Sequence, residues 1–170
     1  MSILPEELLP PPGKSWKQIL AKLSEVDQAE FLLKMDKVGD TLSIVHGDFF
    51  FEARREQIPP ASNWFIWTIM AGRGFGKTFA GANWIANKHQ YEGMMNSAVV
   101  AATAADLRRY CIEGPSGILT IASKHFTPEY LPSKSKLVWP NGTETHLFTS
   151  EKPHRLRGGN FDGAWCDELS

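Results

Sequence analysis

The chain has 170 residues, 42% hydrophobic and 22% charged, with a net charge of −1. That composition suits one globular domain with a real core, and it gives no global basic footprint for nucleic acid. Cys111 and Cys166 lie far apart without C-x-x-C spacing, and the five histidines (46, 89, 125, 146, 154) show no metal spacing, which argues against a disulfide scaffold and a zinc site.

No apolar run approaches a membrane span, and "MSILPEELLPPPGKSW" lacks the basic-then-apolar order of a signal peptide. We therefore expect a cytosolic protein with no membrane partner. "LPEELLPPPG" (4–13) is proline-rich, and residues 1–14 read as a mobile arm. Ser15 is placed to cap a helix starting near Trp16. Trp16, Ile19, Leu20, Leu23 and Phe31 to Leu33 have helical spacing, as one helix or two short ones, so 15–48 reads as an N-terminal helical segment. The remaining 49–170 read as the core domain. "FFFEARREQIPPASN" (49–63) leads into it, punctuated by Pro59 and Pro60.

"NWFIWTIM" (63–70), rich in aromatic and β-branched residues, reads as a buried strand. The glycine-rich "AGRGFGKT" (71–78) follows, and then "FAGANWIANKH" (79–89), where Phe79, Ala82, Trp84, Ile85 and Ala86 are near helical spacing. "SAVVAAT" (97–103) reads as a second buried strand, and 106–112 as a helix ending near "EGPSG". "KLVWPNGTETHLF" (136–148) reads as a hairpin about Asn141-Gly142. "GAWCDE" (163–168) is a short strand ending in two carboxylates, with Cys166 a small core residue. No internal repeat is found. Strands alternating with helices predict an α/β fold with a mainly parallel sheet flanked by helices, decorated by the hairpin.

The segment 71–78 carries the chemistry. Glycine permits the positive φ angles and close backbone approach of a tight strand-to-helix turn. Amide N–H groups there form a nest at the positive end of a helix, a geometry that suits phosphate. The pattern is G-x-x-x-x-G-K-[ST], with Ala71 standing at the first glycine position. It assigns Gly72, Arg73, Gly74, Phe75, Gly76, Lys77 and Thr78 to nucleotide binding. Lys77 would reach the β- and γ-phosphates, and the Thr78 hydroxyl would ligate Mg²⁺. Hydrolysis needs a second, acidic element. Asp167 would hold Mg²⁺ and Glu168 would activate water as general base, provided the chain turns at the strand end so that both face the nucleotide.

"ARREQIPP" (53–60), "AGRGFGKTFAGANWI" (71–85), "WPNGTE" (139–144) and "HRLRGGNFDGAWCDEL" (154–169), in that order and spacing, resemble the large subunit of tailed-bacteriophage terminases, the DNA-packaging motor. The resemblance covers about 49–170. It implies a P-loop ATPase of the additional-strand catalytic-glutamate type, using ATP and Mg²⁺ in the host cytoplasm. The implied partners are double-stranded DNA, the small terminase subunit, the portal and procapsid, and other copies of itself in a ring. It implies that Gln57 reads the adenine edge and that Arg73 stabilises transition-state charge. Arg108, Arg109, Arg155 and Arg157 include candidates for a finger reaching a neighbouring subunit. Its nuclease has no counterpart here. It also implies a further strand after residue 170, between the strands at 63–70 and 161–167, so we expect a fragment that is less stable and less active than a chain extended by ~80 residues. The rival readings are a P-loop kinase acting on a small molecule, which the adjacent Asp167-Glu168 argues against, and a docking module that hydrolyses nothing.

Overall fold

The structure is a computed structural model that describes residues 9–31, 49–60, 64–122 and 125–168. The expected arm falls largely on 1–8 and much of the expected helical segment on 32–48, both outside the described residues. The chain divides into two compact units, 1–72 and 73–170.

In the first unit, Ser15 caps helix α1 (Trp16–Leu20) as expected. Its side chain accepts from the backbone N–H of Gln18, while the Gln18 side chain accepts from the Ser15 N–H, a reciprocal capping box. A second helical stretch, 25–31, begins after Ser24, whose Oγ accepts from Asp27 N, and Phe31 lies 4.6 Å from the Trp16 ring. Ser15 also bridges to Arg54 in antiparallel fashion, beside the buried Phe49, Phe50 and Ala53.

The strand expected at 63–70 is not formed. Among its described residues, 64–70, none is in a strand, and Phe65, Ile66 and Met70 are 96%, 75% and 92% exposed. Trp64 instead donates its indole N–H to the Pro60 carbonyl, and its ring sits 6.0 Å from Trp67. An apolar, β-branched run becomes a strand only when another strand satisfies its backbone groups. Among the described residues no strand lies against this one.

The second unit is a mixed α/β layer. Helix α2 (Lys77–Tyr91) leads to strand β1 (Asn96–Ala101). Then come α3 (Ala104–Asp106), which passes directly into a π-helix (Leu107–Ile112), and α4 (Ile118–Ile121). Strands β2 (Glu129–Leu131), β3 (Lys136–Val138), β4 (Glu144–Thr149) and β5 (Gly163–Cys166) complete it. The sheet order is β2-β3-β4-β1-β5. β1 runs parallel to β4 and β5, whereas β2–β3 and β3–β4 are antiparallel. The sheet is therefore evenly mixed rather than mainly parallel, because the hairpin extends the sheet itself and the strand expected at 63–70 does not join it.

Alternation along the strands sorts two cores. On one face Val99, Ala101, Leu147 and Trp165 pack with Ala82, Ile85 and Ala86 of α2 and with Leu107, Cys111 and Ile112 of the π-helix. On the other, Ala98, Val100 and Phe148 pack with Leu156 and Phe161. Both faces of β1 are thus buried, which explains its unbroken apolar run. At the hairpin end a polar network sits inside the first core. His89 lies between the Thr143 hydroxyl (2.7 Å) and the Ser97 hydroxyl (2.8 Å), and its ring stacks on Trp139 at 4.9 Å.

Candidate functional site

The boundary between the units falls inside the glycine-rich segment, so Gly72 belongs to the first unit and Arg73 to Thr78 to the second. Gly74 and Gly76 have φ of 78° and 90°, the left-handed conformation that only glycine adopts freely, and Gly76 is the N-cap of α2. Lys77 and Thr78 therefore form the first turn of a 15-residue helix, at the positive end of its dipole. Arg73 and Gly74 are exposed; Phe75 to Thr78 are half-buried.

β5 delivers the acidic pair. The Asp167 N–H donates to the Val100 carbonyl at 2.8 Å, so β1 fixes where the strand ends. Glu168 then has φ of 46°, a left-handed conformation that costs a non-glycine residue about 1–3 kcal/mol. The chain turns there as the sequence requires if two adjacent carboxylates are to serve one site. Burial raises the Asp167 carboxyl above its ordinary range, and Glu168's charge adds to this. Hydrogen bonding from the Cys111 thiol and the Thr78 hydroxyl, together with the Lys77 charge, pulls it back down. Lys77, Thr78, Asp167 and Glu168 thus lie in one neighbourhood, although 90 residues of sequence separate the first from the third.

Helix α2 reaches β5 because Gly81 has no side chain. A Cβ there would meet the Trp165 indole at 2.3 Å. This close approach seats the first turn of α2 over the end of the strand that carries Asp167.

Sequence reasoning missed Cys111. Its Sγ lies 3.6 Å from Asp167 Oδ2. Burial, with the Asp167 charge next, pushes its thiol well above the usual range, so it remains a protonated donor. Cys166, read as a core residue, is exposed instead. No sequence signal points to Cys111: the π-helix that turns it inward leaves no mark in composition.

The other expected residues have settings of their own. Gln57 lies in the first unit, buried, with its amide oxygen accepting from the Arg54 N–H at 2.8 Å. Arg108 is ion-paired with Glu113 at 2.9 Å, and the Arg109 guanidinium sits 5.4 Å over the Tyr110 ring. Arg155 and Arg157 are exposed on the loop between β4 and β5. Among the described residues, no cluster of three or more His, Cys, Asp or Glu could hold a metal. The donors present, one hydroxyl and one carboxylate beside an ammonium, instead fit Mg²⁺, which keeps several waters and takes its remaining ligands from a substrate's phosphates.

The family described as terminase large subunit, T4-like virus type, N-terminal region, matches residues 68–170. The chain belongs to that family. Its role is in phage DNA packaging. The match begins just before the glycine-rich segment of this terminase chain and takes in the whole sheet unit with both halves of the site. No curated protein and no solved structure matches the chain. No described helix is long and apolar enough to cross a membrane.

Proposed function

We propose that this terminase chain is the ATP-binding and ATP-hydrolysing part of the packaging motor, built as a P-loop NTPase of the catalytic-glutamate type and powering translocation of double-stranded DNA. The observation that carries this reading is the convergence of Lys77 and Thr78, at a glycine-capped helix start, on the Asp167-Glu168 pair.

In this reading the amides of Gly74 to Lys77 cradle the phosphates, and Lys77 neutralises their charge. Thr78 and Asp167 would hold Mg²⁺, which would supply positive charge to the phosphoryl oxygens. Cys111 donates to Asp167 Oδ2 and helps hold the carboxylate in place. Glu168, exposed and turned by its left-handed backbone, orients and deprotonates the attacking water. Arg73, exposed on the loop, supplies charge to the transition state. Gln57 reads the adenine edge. The small terminase subunit, portal and procapsid, and further copies of the chain in a ring are the proposed partners, in the host cytoplasm.

The test is phosphate release from ATP by the parent and by Glu168→Gln, with and without duplex DNA. DNA-stimulated release that Glu168→Gln abolishes, with Mg·ATP binding retained, supports the motor. Phosphate transferred to an added acceptor would make the chain a kinase, and no turnover in any longer chain would make it a docking module.

A further inference from the structure

Helix α2 carries Lys77 and Thr78 at one end and His89 near the other, about 18 Å along the axis. Its middle packs on the sheet through Ala82, Ile85 and Ala86. Apolar contacts are non-directional. They fix which face of the helix is buried but set its axial position weakly. Hydrogen bonds are directional, and the turn of the hairpin grips His89 with two of them. The His89 carbonyl accepts from Asn141 Nδ2 at 2.9 Å, and its ring Nδ1 lies 2.7 Å from the Thr143 hydroxyl. That hydroxyl gives its own proton to Asn141 Oδ1 at 2.8 Å. Burial keeps the ring neutral, so Nδ1 carries the ring proton and donates it to Thr143. Nε2 is left to accept from the Ser97 hydroxyl at 2.8 Å. Ser97 in turn meets the Thr145 hydroxyl, which accepts from the Trp139 indole N–H at 2.8 Å. The network therefore begins and ends on the hairpin and passes through α2 and β1. His89, Ser97, Thr143 and Thr145 are all buried, where an unpaired polar group is costly. One register of α2 satisfies every member.

We propose that His89, Asn141 and Thr143 are positioning residues for the nucleotide site. The hairpin turn sets the axial position of α2, and so the place of Lys77 and Thr78 relative to Asp167 and Glu168. The proposal rests on the ATPase reading above. The phosphate-binding turn is continuous with α2 and moves with it as one body. Releasing the grip therefore leaves the phosphate nest intact and misaligns it with the acidic pair, which β1 fixes through the Val100 carbonyl. The signature is a loss of kcat with KM for ATP near the parent value, because binding survives and alignment does not.

The experiment compares Asn141→Ala and Thr143→Val with Thr143→Ser, which keeps the hydroxyl, in the full chain below the melting temperature of each. The first two should lower kcat for phosphate release from ATP about tenfold, since a misplacement of about 1 Å costs on the order of 10²-fold. Thr143→Ser should match the parent. Without nucleotide, the backbone amide resonances of Gly76, Lys77 and Thr78 should shift in Asn141→Ala and Thr143→Val and stay in place in Thr143→Ser. A local change at the hairpin reaches them only by moving the helix. Asn141 lies at an exposed turn, so Asn141→Ala keeps the test available if the buried Thr143→Val fails to fold. Parent kcat and unmoved amides in folded Asn141→Ala, with only the melting temperature lowered, overturn the proposal and leave the network a packing device. A raised KM at parent kcat also overturns it, because the nest itself would then be damaged. Failure of the ATPase reading is distinguishable: a parent that releases no phosphate sinks that reading, and the amide shifts then decide alone, their presence supporting the grip on α2 and their absence overturning it.

Discussion

At the scale of single residues, the proposed ATPase reading gives groups of different chemistry different roles, and each substitution has its own signature. Lys77→Ala should abolish hydrolysis and weaken triphosphate binding, because the phosphates lose their principal cation; isothermal titration with an ATP analogue and a phosphate-release assay check both. Arg73→Ala should leave nucleotide affinity nearly intact and slow turnover by on the order of 10²-fold. An equal loss of affinity and rate would reduce Arg73 to a ground-state contact. Cys111 offers a finer test. Cys111→Ala removes the thiol donor 3.6 Å from Asp167. It should raise the Mg²⁺ concentration needed for half-maximal ATP binding several-fold, while Cys111→Ser, which keeps a donor, should stay near the parent. If alanine and serine behave alike, the contact is packing only.

At the scale of elements, the helix at 77–91 and the strands at 96–101 and 163–166 were legible because each combines a capping or turn residue with an apolar run that matches its burial. The hairpin was legible from Asn141-Gly142, where Gly142 takes a φ of 83°. The segment 64–70 was misread, since apolar content marks what can pair and not whether a partner is present. β2, at three residues, is too short to show a period. Within the candidate site, the glycine-rich segment and the acidic pair stand out in the sequence as patterns, whereas Cys111 does not, because its contact spans 56 residues and depends on one π-helical turn. The junction of α2 with β5 gives this scale its prediction. Gly81→Ala forces a Cβ into the Trp165 indole. It should destabilise the protein by about 1–3 kcal/mol, the usual cost of overpacking, and lower the melting temperature accordingly. Because the clash pushes the first turn of α2 away from β5, turnover should fall further than the loss of folded protein explains. Unchanged melting would mean that the indole simply rotates aside.

At the scale of the whole molecule, acid sensitivity follows from the buried polar network rather than from the site. Burial depresses His89 from 6.5 to about 4, against smaller opposing effects of the Met94 backbone and the Asp162 charge. Between those values the unfolded chain holds a proton on this ring that the folded chain lacks. Stability should therefore be full above pH 6.5, fall by at most about 1.4 kcal/mol per unit toward pH 4, and gain no further loss from this group below that. Melting temperature measured across this range, in the parent and in His89→Gln, reads the effect as a flatter profile in the variant. The sheet's outer boundary has another consequence, on the timescale of solvent exchange. Among the described residues β5 has a neighbour on one side only. Its amides alternate in direction, and that of Asp167 points inward to Val100. The amides of Ala164 and Cys166 then point outward, so in deuterium oxide they should exchange rapidly while those of Trp165 and Asp167 are retained. Retention at Cys166 equal to that at Asp167 would reveal a further strand lying against the one that carries the acidic pair.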